Sequence, residues 1–184
     1  MGLSLESMAI VMPTVHGHPN RAGFRGVLTI VDVASDKSPS GARGHRVLLT
    51  RRAAEAAIPS LMGMGLDYSP ALDRHDAQRK IGVITRAEIV GRVIEVGGFL
   101  YARDFPEIVA EIGRPARTGT SVSAGAGRNV RASRSGLGMS YEITDALVED
   151  IKASVWVLNR VTFTGAAVLR RDKAAYCSTW IELG

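Results

Sequence analysis

Apolar runs rich in β-branched residues dominate this chain, and the helical signatures between them never settle into a regular βαβ alternation. Segment 24–33 (FRGVLTIVDV) partly alternates, and 81–90 and 92–102 follow one another with Gly91 in the turn between them. Segments 137–144 and 155–169 read as further strands, 45–49 as a short one and 173–183 as a last one, with an acidic hairpin-like stretch at 145–150. The order strands, helix, strands, helix, strands predicts an α+β fold, a mostly antiparallel, β-barrel-like sheet with two or three helices packed around it.

The helices carry local signals. Thr50 stands before RRAAEAAI, where its hydroxyl can accept from an otherwise orphan N–H at the start of an alanine-rich helix. Pro59 interrupts that helix, and Gly63 and Gly65 end it. Asp104-Phe-Pro-Glu107 has the form of a capping box opening FPEIVAEI, which stops at Gly113. Between these elements, 67–80 (DYSPALDRHDAQRK) is polar, contains a proline and reads as a loop.

Residues 1–23 lack a clear period and read as an N-terminal arm, and 24–184 reads as one domain. That domain is interrupted at 114–136 (RPARTGTSVSAGAGRNVRASRSG), a stretch too poor in large apolar groups to join a core and expected to be a flexible insertion. The charge follows the same division. The formal net charge is +5, and 114–136 holds five arginines and no acid, so the rest of the chain is balanced. Basic character confined to one segment argues against nucleic acid as a partner.

Several chemistries lack their residues. Cys177 is the lone cysteine, so no internal disulfide forms and a reducing compartment is expected. No stretch approaches the roughly 18 apolar residues of a membrane span, and no basic residue precedes the mild apolar run at 1–13 as in a secretory leader. His16 and His18 without cysteine or a nearby carboxylate make a poor metal set. AGAGRN is neither a P-loop nor a dinucleotide fingerprint, and there is no GxSxG elbow.

Nucleophilic serine chemistry remains. His75 lies in a polar loop just ahead of a strand, where an imidazole can be held and still reach a substrate. Ser140 lies in GLGMSYEI, at the start of a strand after glycines that permit close backbone approach. The pair is expected to meet at hydrogen-bond distance, with Ser121 and Ser123 of the insertion further away. Asp73, Asp76 and Glu142 are the candidates to orient the histidine. Tyr68, Tyr101, Trp156 and Phe163 read as core or half-buried strand residues.

Taken in order, these segments resemble the prohead proteases of tailed phages, which share a fold with the herpesvirus assemblins. RGVLTIVDV is similar to the opening strand, HRVLLTRRAAEAAI to the following strand and helix, and RHDAQRKIGVI to the histidine segment. FLYARDFPEIVAEI, LGMSYEI and VWVLNRVTFTGAAVL resemble the element before the serine, the serine motif and the long strand after it. The likeness runs from Arg25 to Tyr176. It implies a serine endopeptidase acting on major capsid and scaffold proteins, in the host cytoplasm within the procapsid or virion head, with no cofactor and with self-association left open. It implies His75 as base, Ser140 as nucleophile, and support for the oxyanion from Gly138 and Arg171. The family's third group comes from the strand after the nucleophile, yet 161–169 holds no Asp, Glu or His. A catalytically inactive virion structural or scaffold-like protein of the same fold is therefore the second reading.

Overall fold

The computed structural model describes residues 7–13, 17–115 and 135–184. Among them, nine strands join one sheet: β1 (Ser7–Ala9), β2 (Ala22–Ile30), β3 (Arg46–Leu49), β4 (Gly65–Asp67), β5 (Lys80–Val90), β6 (Val93–Leu100), β7 (Leu137–Val148), β8 (Val155–Arg170) and β9 (Trp180–Leu183). The main path runs β3-β8-β4-β5-β6-β2-β9, with β1 paired to β5 and β7 paired to β8. Two short helices complete it, α1 (Arg51–Ala57) and α2 (Pro106–Gly113).

The α+β expectation is corrected by this architecture. With 46% strand against 16% helix, the described residues are mostly β, and their sheet curls into a half-barrel. The helix signals are real but short. Thr50 does cap α1, its hydroxyl accepting from Ala53 N–H at 3.2 Å. Pro59 then converts the chain to a 3₁₀ turn, Ile58–Leu61, after two helical turns. The expected capping box at Asp104 does not form. Its carboxylate accepts from the Asn20 side chain at 2.8 Å, and Phe105 becomes an N-cap without a side-chain bond. The polar stretch at 67–80 is shorter than expected as a loop, since Asp67 closes β4 and Lys80 opens β5.

Pairing is antiparallel except where β8 runs parallel to β3 and to β4. The core forms one cluster in which Leu28, Leu66, Ile84, Ile94, Leu100, Met139, Phe163 and Val168 are all buried. Each such side chain removed from water stabilises the fold by about 1.5–3 kcal/mol. α1 packs Ala53, Ala54 and Ala57 beside β8, and α2 packs Ile108 and Ile112 beside β9. The arm read at 1–23 contributes β1, which covers part of the β5 edge by pairing Ser7 to Ala9 with Glu88 to Arg86. Of the expected insertion only 114–115 and 135–136 are described; the rest, with Ser121, Ser123 and His16, lies outside the described residues. Among the described residues no helix is long and apolar enough to cross a membrane.

The curl brings β7 against β2 and β9 without a ladder between them. Gly26 makes that approach feasible: a Cβ there would lie 2.4 Å from the Trp180 carbonyl and 2.7 Å from Met139 Sδ. Gly26→Ala should lower stability by about 1–3 kcal/mol, whereas Gly41→Ala, which faces open space, should not. Urea unfolding of both variants checks this, and equal midpoints would show that β9 and β7 do not crowd Gly26.

Candidate active site

The alternation of β7 separates its residues into two faces. Met139 points into the core, and Ser140, its neighbour, faces the opposite side. Ser140 pairs with Ala167 of β8, and Ala167 pairs with Asp67 of β4 on its other side. Ser140, Ala167 and Asp67 therefore form one row across three adjacent strands, with their side chains on the same face. Ala167 at the centre is small and fully buried yet stands outside the core cluster. His75 spans the two ends of this row, within 3.2 Å of Ser140 Oγ and 3.6 Å of Asp67 Oδ1.

The loop 68–79, which carries His75, is held by specific bonds. Ser69 Oγ donates to Asp73 Oδ1 at 2.8 Å and accepts from Asp73 N–H at 3.2 Å. Arg170 N–H donates to the Leu72 carbonyl at 2.7 Å, strapping the loop to the end of β8. Asp76 N–H donates to Asp67 Oδ1 at 3.1 Å, one residue beyond the histidine. So fixed, the His75 ring places Nε2 3.2 Å from Ser140 Oγ. Its other nitrogen, Nδ1, is buried without a hydrogen-bond partner and faces two carboxylates, Asp67 Oδ1 at 3.6 Å and Glu142 Oε2 at 3.9 Å.

The three acids named from the sequence go different ways. Asp73 is bonded to Ser69, and that bond, helped by nearby Arg74 and Arg170, holds its carboxyl below the usual range. Asp76 turns its carboxylate to Arg79 at 3.3 Å and to Gln78 N–H, away from the imidazole. Glu142 reaches toward His75 over Gly165, where a Cβ would sit 2.6 Å from its Oε2. Asp67 was not among the candidates. Its one trace in the sequence is that it is a single acid in an otherwise apolar and glycine run, MGMGLDY.

Asp67 is fully buried and ionised in a favourable setting. Burial alone would push its carboxyl up, but the His75 ring, the Lys80 ammonium at 3.0 Å and the Asp76 N–H together hold it below the ordinary carboxylate range. Gly138 and Arg171, named for the oxyanion, are adjacent to each other. A Cβ on Gly138 would lie 2.7 Å from Thr179 Oγ1 and 3.5 Å from the Arg171 Cα. The crowding by Thr179 accounts for glycine there by packing. Arg171 Nη2 donates to the Ser135 carbonyl at 3.0 Å, while its Nε is buried without a partner. Burial lowers the Arg171 guanidinium from its ordinary value, with Cys177 acting in the opposite direction.

This arrangement can activate a hydroxyl. A serine within hydrogen-bond reach of an imidazole, backed by carboxylates, has the parts for nucleophilic acyl transfer. Among the described residues no cluster of three metal-ligating side chains occurs. Comparison with protein-family models, curated proteins and solved structures found no match for this chain.

Two outcomes follow from the geometry. Ala167→Leu should leave the core intact but lift the imidazole off the sheet, slowing phosphonate labelling of Ser140 by about 10²-fold; unchanged labelling would show that His75 does not rest on Ala167. Acid sensitivity is the second. Above about pH 4, the ordinary carboxylate range, Asp67 is ionised folded or unfolded and its stabilisation is fully present. It is lost as pH falls through the lower folded value. Asp67→Asn should therefore flatten the acid limb of stability against pH below about pH 4; urea titrations in which wild type and variant keep parallel limbs would contradict it.

Proposed function

We propose that this chain is a serine endopeptidase of phage head assembly, cleaving segments of scaffold and major capsid proteins during procapsid maturation. The observation that carries the reading is the 3.2 Å contact between His75 Nε2 and Ser140 Oγ, between two residues 65 positions apart in the chain. The ordered resemblance of the flanking segments to prohead proteases supplies the class of substrate and the setting, a procapsid in the host cytoplasm.

In this mechanism His75 takes the Ser140 proton as the hydroxyl oxygen attacks a peptide carbonyl carbon. The protonated imidazole then gives that proton to the leaving amine, and an acyl-enzyme remains on Ser140. Water, deprotonated by the same imidazole, releases the acid and restores the hydroxyl. Oxyanion charge needs donors aimed at it, and the resemblance gives that task to Arg171, whose Cα lies beside Gly138. The reaction calls for no cofactor.

Co-expression with the capsid and scaffold proteins tests the reading. Ser140→Ala and His75→Ala should each abolish processing to about the same extent, since members of a catalytic pair are strongly non-additive. Full processing in both variants would end the enzyme reading and leave a structural protein of the head in its place.

A further inference from the structure

The imidazole between Ser140 and the sheet can carry its proton on either nitrogen, and the surroundings choose. With the proton on Nε2, the lone pair of Nδ1 would point at two carboxylate oxygens, Asp67 Oδ1 at 3.6 Å and Glu142 Oε2 at 3.9 Å. That arrangement sets negative charge against a lone pair at a buried atom, which is unfavourable. With the proton on Nδ1, the same atoms attract, and Nε2 is free to accept from Ser140. The two acids are not equivalent. The Glu142 side chain is 51% exposed and the Asp67 side chain 0%, so water and salt screen the first and not the second. Asp67 is also fixed at both oxygens, Oδ1 by Asp76 N–H and Oδ2 by Lys80. A carboxylate that cannot turn away is the one able to hold a ring in place.

We propose that Asp67, supplied by β4 from upstream of the histidine, is the positioning carboxylate that keeps His75 protonated at Nδ1 with Nε2 turned to Ser140. The 3.6 Å gap is longer than a hydrogen bond, as such contacts often are before substrate binds. The chain order is then acid, base, nucleophile, and the group absent from 161–169 is replaced by one on the far side of β8. Lys80 has a part in this as the counter-ion that keeps the acid ionised where water cannot reach it. The inference deepens the peptidase reading and rests on it for its purpose, but the geometry is measurable without any substrate.

Nitrogen-15 NMR of the histidine rings in the full chain is the test, because it reads the tautomer directly. In its neutral form the wild-type His75 ring should carry its proton on Nδ1. In Asp67→Asn the charge is gone and the single remaining oxygen is contested by Asp76 N–H and Lys80, so the Nδ1 form should lose its preference and the Nε2 form should rise. Glu142→Gln should leave the Nδ1 form in place. Phosphonate labelling should slow on the order of 10³- to 10⁴-fold in the Asn variant, from the wrong tautomer, and far less in the Gln variant. A wild type protonated at Nε2 overturns the proposal, as does loss of the Nδ1 form in Glu142→Gln, and both hold even if Asp67→Asn does not fold. A wild type that never processes capsid proteins, yet loses the Nδ1 form in Asp67→Asn, would remove the peptidase reading and leave the Asp67 assignment standing.

Discussion

Strand β8 is the constraint on which the rest of the molecule depends. Along its length it pairs with β3, with β4 and with nearly all of β7, so elements distant in sequence are brought into register by one strand. Its alternation serves two purposes at once. Val161, Phe163, Ala166 and Val168 enter the core cluster, while Gly165 and Ala167 present small groups to the opposite side. Beside that strip Glu142 lies over Gly165, and His75 spans Ser140 and Asp67, the two neighbours of Ala167. A large side chain at either position would leave no seat for the imidazole or for Glu142.

A buried carboxylate raises the stakes of that seat. An ionised Asp67 out of water is costly unless it is paired and hydrogen-bonded. Lys80 and the Asp76 N–H meet that need, both from the C-terminal side of His75. The same bonds that make the charge tolerable also close the loop. Folding and the candidate chemistry thus draw on one set of contacts, and damage to Asp67 should be felt in both.

Much of this was legible in the sequence and some was not, for physical reasons. The long strands announced themselves through β-branched runs, and Thr50 announced α1 through its cap. Helix content was overread because RRAAEAAI and FPEIVAEI are strong local signals whose extent is set by Pro59 and by the sheet rather than by propensity. Three-residue β4 has no period to detect, so Asp67 passed for the start of a loop. His75 and Ser140 stood out by residue type and by the elements around them. Asp67 did not, because its place beside His75 depends on a parallel pairing, β4 to β8, which no local pattern encodes. Asp104 misled in the opposite way: a good capping sequence was claimed by a tertiary partner, Asn20.

The central claim is that His75 and Ser140 act as a pair, and covalent labelling tests it most directly. The intact protein is treated with a fluorophosphonate and the adduct located by mass spectrometry of its peptides. The account predicts a single adduct on Ser140, formed in the wild type and all but lost in His75→Ala. An adduct on Ser121 or Ser123, or labelling of Ser140 that is indifferent to His75, would contradict it.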